Sequence, residues 1–176
     1  MGILDRLRLR TSGFRRSQSG STAVEFGVLA LLYFLIVFAI IEIALLFTAE
    51  LVLDKGTTYA GRMVRVGRAQ HDNMTKEQFA AFTCDKVKIM LDCNKLVFDI
   101  RSYPSFADVP DDVPMKGDAI DTSGFKYELS RGGTIVALRV FYKWPILTSV
   151  LRRFFADTKD GSVVLMSMST FRTEPF

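Results

Sequence analysis

Sixteen consecutive residues, Phe26 to Ile41, carry no charge (FGVLALLYFLIVFAII), and this run constrains the chain more than any other feature. Glu42 interrupts it and Ile43 to Ala49 resumes it, so the apolar stretch Phe26–Ala49 has 24 residues. As a helix it would be about 36 Å long, at ~1.5 Å per residue, which suffices to cross a bilayer with some tilt. A helix apolar on every face is otherwise stable only in the interior of a large protein. With 176 residues in all, this chain has little left with which to bury one.

Charge is distributed to match. The formal net charge is +4, yet residues 1–20 alone hold Arg6, Arg8, Arg10, Arg15 and Arg16 against Asp5, and the remainder sums to zero. A basic excess confined to a tail ahead of an apolar segment is a topogenic signal rather than a nucleic-acid surface, so no nucleic-acid partner is expected. By the positive-inside rule the N-terminus stays in the cytoplasm and the residues beyond about 50 lie on the far side. In a bacterium the far side is the periplasm or the exterior. An ordinary secretory signal fits poorly: the apolar stretch is too long, and Phe47-Thr48-Ala49 puts a bulky ring where cleavage wants a small residue. An uncleaved signal anchor remains open.

The junction between tail and apolar run reads Arg15-Arg16-Ser17-Gln18-Ser19-Gly20-Ser21-Thr22-Ala23-Val24-Glu25-Phe26. A basic leader ends at Gly20, small or apolar residues follow, and Glu25 precedes the helix. Here the sequence resembles the prepilins, which are cut after the glycine and carry glutamate as the fifth residue of the mature chain. The resemblance implies cleavage by a prepilin peptidase between Gly20 and Ser21. A glycine lets the backbone enter a protease cleft closely, and cutting there leaves the apolar helix attached. A carboxylate at the edge of such a helix is costly in lipid unless paired. In pilin assemblies it can pair with the N-terminal amine of a neighbouring subunit, a role the resemblance gives to Glu25. Taken alone, Glu25 is also an ordinary interfacial charge favoured by the dipole at a helix start. Glu42 has two open readings, a contact with another membrane subunit or snorkelling at the far boundary.

The segment GSTAVEFGVLALLYFLIVFAIIEIALLF resembles the TadE-like proteins of tight-adherence (Tad, or Flp-pilus) systems, which carry a similar Glu-Phe, here Glu25-Phe26, after a short small-residue stretch. The continuation LVLDKGTTYAGRMVRVGRAQ is similar to that family too, as are Tyr142-Lys143-Trp144-Pro145 and the terminal Phe171-Arg172-Thr173-Glu174-Pro175-Phe176. The likeness is strongest over residues 15–70. A major Flp pilin has little beyond its helix, whereas 127 residues follow position 49 here. The resemblance therefore implies a minor pseudopilin that helps to build an adhesion pilus. Its implied partners are the prepilin peptidase, other Tad-system membrane subunits and pilins, and the lipid bilayer.

Beyond the membrane, Ala49, Val52, Leu53, Gly56, Ala60, Met63, Val64 and Gly67 recur at helical spacing, so the helix is expected to continue and to pack on the chain's own sheet. Thr75-Lys76-Glu77-Gln78 is a capping-box pattern for a second helix buried through Phe79, Phe82, Val87 and Met90. Leu96, Phe98 and Ile100 alternate with Val97, Asp99 and Arg101 as in a strand with the second set facing outward. Phe125–Leu129 is expected to be a short strand before an Arg131-Gly132-Gly133 turn. Thr134–Lys143 is the clearest strand, with Thr134, Val136, Leu138, Val140 and Tyr142 on one face and Pro145 as its stop. Ile146–Phe155 reads as a short helix or loop and Ser162–Arg172 as a final strand. The expected class is α+β: a leader (1–20), a long transmembrane helix (21–49), and a periplasmic domain (50–176) with a helix and a small antiparallel sheet.

Cys84 and Cys93 fall on the oxidising side of the membrane and are expected to form a disulfide. With His71 they are too few for a zinc site of recognised spacing, and no cofactor is expected. The acidic loop Asp108, Asp111, Asp112, Asp118 and Asp121, punctuated by Pro104, Pro110 and Pro114, does not fit an EF-hand and reads as solvated. No nucleophile–base pair or phosphate-binding loop stands out, so catalysis is not expected. The competing readings are a signal-anchored binding or sensor module and a membrane-bound enzyme.

Overall fold

The computed structural model describes residues 19–175; the arginine-bearing leader up to residue 18 and the terminal Phe176 lie outside them. The chain divides into two compact units at the Ile41–Glu42 junction. Helix α1 (Ser19–Arg65) supplies all the described residues of the first unit and the opening of the second. It ends because Gly67 takes a φ of 77°, in the left-handed region that glycine enters without strain.

In the second unit, α2 (Arg68–His71) is one turn, with His71 exposed at its end. Helix α3 (Lys76–Val87) starts at the capping box read from sequence. The Gln78 backbone N–H donates to Thr75 Oγ1 (3.3 Å) and the Thr75 N–H to Gln78 Oε1 (2.9 Å), so two otherwise unpaired donors are satisfied reciprocally. Strand β1 (Val97–Tyr103) follows. Two short strands, β2 (Met115–Lys116) and β3 (Ala119–Ile120), form a hairpin within the acidic loop. Then come β4 (Ile135–Pro145), α4 (Ser149–Phe155) and β5 (Ser162–Arg172). Strands β1, β4 and β5 make an antiparallel sheet in the order β1-β4-β5. Phe125–Leu129 is not a strand: Tyr127 alone bridges to Ile100, in parallel, through hydrogen bonds from Ile100 N–H to the Lys126 carbonyl and from Glu128 N–H to the Ile100 carbonyl.

One face of the sheet carries Phe98, Ile100, Val136, Leu138, Val140, Tyr142 and Leu165, all buried in a single core with Leu53, Ala60, Val64, Phe79 and Val87 from the helices. Phe79 meets Phe98 edge-on, with ring centroids 6.1 Å apart. The small residues of α1 are where other elements come closest. A Cβ on Gly56 would lie 2.3 Å from Val87 Cγ1, and one on Gly61 would lie 2.6 Å from Ser169 Oγ. The stripe thus packs within its own domain. The opposite face of the sheet is buried as well, contrary to the alternation expected for β1. Asp99, Ala137, Arg139 and Phe141 are all covered there, because the chain between β1 and β4 returns to stack Phe125 on Phe141 at 5.2 Å.

Candidate functional site

The residues singled out for processing and subunit contact, Gly20, Ser21, Glu25 and Phe26, occupy the first two turns of α1. All four are exposed. A Cβ on Gly20 would meet nothing within 4 Å among the described residues, so their packing does not require a glycine there. Its peptide bond to Ser21 lies in the first turn, where backbone N–H groups have no partner inside the helix. The Ser21 hydroxyl donates to Glu25 Oε1 at 3.1 Å, one helical turn away. From Val24 to Ile41 almost every large apolar side chain is open, Phe26 being 73% exposed. Among the described residues this is the one helix long and apolar enough to cross a membrane. In water such a surface would be held apart from solvent only by association; in a bilayer it is solvated on every face.

Glu42, seventeen residues beyond Glu25 in the chain, is 8% exposed and finds its partners within the second unit. Its carboxylate accepts from the Leu147 N–H, from the Thr148 N–H at 3.1 Å and from Thr148 Oγ1 at 2.5 Å. These groups immediately precede α4, so Glu42, 106 residues away in the chain, holds the entry to that helix rather than the N–H groups of its first turn. The carboxylate thus has partners within its own chain, which neither sequence reading of Glu42 named. The Gly20–Phe26 group and Glu42 are therefore separate features. No local pattern near Glu42 could have named Thr148 as its partner.

Sequence reasoning also missed a buried ionic cluster on the second face of the sheet. Asp99, with a side chain 1% exposed, receives Arg139 Nη2 at 2.7 Å and Arg101 Nη2 at 2.8 Å. It also accepts from the Lys126 N–H at 2.9 Å. The β1–β4 register places Asp99 directly opposite Arg139. The Arg139 guanidinium sits over the Phe125 and Phe141 rings, 5.9 and 5.6 Å from their centroids. Burial pushes the Asp99 carboxyl up, but hydrogen bonds from Arg101, the Lys126 backbone and Arg139 outweigh it and hold the group below the ordinary range. Every acceptor position is filled from within the fold, so the cluster pins β1, β4 and the returning loop together. The available signal was a charged residue within each of two apolar strands, Phe98-Asp99-Ile100 and Leu138-Arg139-Val140.

Cys84, in the penultimate turn of α3, is disulfide-bonded to Cys93, with Cα atoms 5.4 Å apart. The bond ties the helix to the 3-10 turn Cys93–Lys95 that leads into β1. Two of the loop aspartates are occupied in local turns, and Asp118 Oδ1 accepts from the Lys159 N–H at 3.3 Å. Asp108 accepts from Ser105 and Asp121 from the Ser123 N–H. Among the described residues no group of three or more His, Cys, Asp or Glu is arranged to hold a metal ion.

Residues 20–62 match the family model described as TadE-like protein. The match begins at the glycine of the junction, covers Glu25 and Glu42, and ends within α1. It bears out the resemblance over the stretch where the sequence showed it most strongly. No curated protein and no solved structure matches the chain.

Proposed function

We propose that this chain, whose residues 20–62 carry the TadE-like pattern, is a minor pseudopilin that acts in assembly of a tight-adherence pilus after a prepilin peptidase cuts between Gly20 and Ser21. The observation that carries the reading is the coincidence at the start of α1. The family match begins there, at a glycine for which the fold has no use of its own. A residue that the fold leaves free, in a position where prepilins have glycine, is accounted for by an outside enzyme. The exposed apolar surface of residues 24–41 supports a single membrane-spanning helix. The arginines ahead of it favour a cytoplasmic N-terminus and a periplasmic domain at the inner membrane. The role is structural: the chain anchors, docks and presents its domain, with no catalytic step of its own.

Glu25 is the docking charge in this reading. Removing the leader would free the Ser21 amine, and an exposed carboxylate one turn along is placed to pair with the amine of a neighbouring subunit. An unpaired carboxylate next to an apolar surface is unfavourable in lipid, so pairing biases subunits toward one axial register.

Mass measurement and N-terminal sequencing of protein from cells with an active prepilin peptidase test the cleavage. The expected product starts at Ser21, and Gly20→Ala should leave the precursor intact while the domain folds as before. Recovery of the intact chain from wild-type cells would leave an uncleaved signal-anchored module in its place. Glu25→Ala is expected to be cleaved normally yet to lower pilus yield; undiminished piliation would remove Glu25 from the assembly role.

A further inference from the structure

Helix α4 and the residue before its cap expose several large apolar side chains. Leu147 and Phe154 are each 76% exposed, with Val150 between them. Val150 and Phe154, four residues apart, share one face of α4, and Leu147 lies just ahead of the helix. Phe155 adds to this apolar ridge, and Arg153 is exposed alongside. Nothing within the second unit covers this ridge, although the same unit buries Phe79, Phe98 and Phe141 thoroughly.

The tie through Glu42 tells what covers it. Glu42 follows the last residue of the uncharged run directly, and its hydrogen bonds to Leu147 and Thr148 fix the start of α4 at the level of that residue. Past Glu42, the first exposed charge on α1 is Glu50, eight residues on and roughly 12 Å along a helix. The outward surface of α1 therefore stays lipid-compatible beyond the level at which α4 is held. Interfacial helices settle with their apolar side about 5–10 Å into the headgroup and acyl boundary, and the tie holds the start of α4 at a comparable distance short of Glu50. Arg153 can reach outward to lipid phosphates while its stem stays in apolar surroundings. The tie also resolves the penalty of a carboxylate at this depth, since Glu42 is saturated by donors from the domain.

We infer that Leu147 and α4 are a second membrane contact, an apolar ridge that lies in the outer-leaflet interface of the same bilayer that residues 26–41 cross. The inference rests on the membrane-spanning part of the proposed function and is independent of leader cleavage. The domain would then be held at two points, by α1 and by α4. Its free rotation about the anchor would be restricted, and its sheet would face the aqueous side in a defined orientation.

The test is fluorescence of single tryptophans in the full chain, in a Trp144→Phe background. The chain is reconstituted at high lipid excess in phosphatidylcholine–phosphatidylglycerol vesicles with or without brominated acyl chains. Phe154→Trp should emit at shorter wavelength and lose about half its intensity to bromine placed near the headgroup, as an interfacial side chain would. Val66→Trp, just beyond the far end of α1, should be unaffected. Phe34→Trp, within the uncharged run, should be quenched by deeply placed bromine. If Phe34→Trp is quenched and Phe154→Trp behaves like Val66→Trp, the inference is wrong while the spanning helix stands. If Phe34→Trp is also unquenched, the membrane reading itself fails. A blue-shifted Phe154→Trp that bromine does not touch would mean that protein covers the ridge, and would equally overturn the inference.

Discussion

Residues 20–41 and residues 42–175 use the same kinds of side chain in opposite ways. Val24, Phe26, Leu31, Phe38 and Ile40 are all more than half exposed in the first region, while Leu53, Phe79, Ile100 and Leu138 are fully buried in the second. A Cβ on Gly20 or Gly27 would meet open space, but on Gly56 or Gly61 it would run into Val87 or Ser169. Glu25 has Ser21 alone as a described partner, whereas Glu42 and Asp99 have their oxygens filled. The first region is shaped by what surrounds the chain, and the second by the chain itself. Substitutions in the first should change processing, membrane contact or assembly; those in the second should change stability.

The largest effect is expected at the buried ionic cluster. Asp99→Asn leaves the buried Arg139 charge without its counter-charge and should remove about 3–5 kcal/mol, as when one partner of a buried pair is lost. Denaturation of the detergent-solubilised full chain, followed by Trp144 fluorescence, measures this; a loss below about 1 kcal/mol would deny the cluster its structural role. The pH dependence has a definite sign. Because the folded carboxyl is held down, its contribution is present above the unfolded value of about 3.9 and disappears as pH falls toward the lower folded value. The Asn variant should lack that part of the acid destabilisation.

Next comes the disulfide. Replacing both Cys84 and Cys93 by serine should cost about 2–3 kcal/mol, chiefly by releasing a short loop in the unfolded chain. The same denaturation measurement on wild-type protein with and without reductant should reproduce the difference; equal stabilities would show that the cross-link adds nothing to the packing of α3.

The smallest effect draws the contrast most sharply, because it places one substitution in each region of one helix. Alanine gains about 1 kcal/mol over glycine inside a helix. At Gly27 there is space, so Gly27→Ala should be neutral or slightly stabilising. At Gly61 the added methyl would press on Ser169 and Phe171, and overpacking of about 1–3 kcal/mol should outweigh that gain. Equal responses at the two positions would break the comparison.

Periodicity made much of this architecture legible. The small-residue stripe from Ala49 to Gly67, the cap at Thr75 and the strand Ser162–Arg172 were each carried by a local pattern with one physical reading. The second face of the sheet was not legible. Alternation in Leu96–Arg101 placed Asp99 outward, yet it is buried, because pattern reports a strand's own polarity and says nothing about a loop that returns to cover it. Phe125–Leu129 has strand-like residues but bridges at Tyr127 alone, since pairing depends on which edge is within reach. The Gly20–Phe26 junction was legible as a pattern for the opposite reason: among the described residues its contacts are local, so no tertiary contact redefines it.

By itself the sequence determined that a basic tail precedes an apolar helix, that glycine and glutamate mark the junction, and that an α+β domain follows. These depend on residues adjacent or one turn apart, where chain connectivity already sets the geometry. Tertiary structure alone decided that Glu42 accepts from Leu147 and Thr148 at the entry to α4, and that Asp99 is shared by two arginines. Each joins residues tens of positions apart, and a hydrogen bond over a few ångströms cannot be read from a pattern until the fold has brought its ends together.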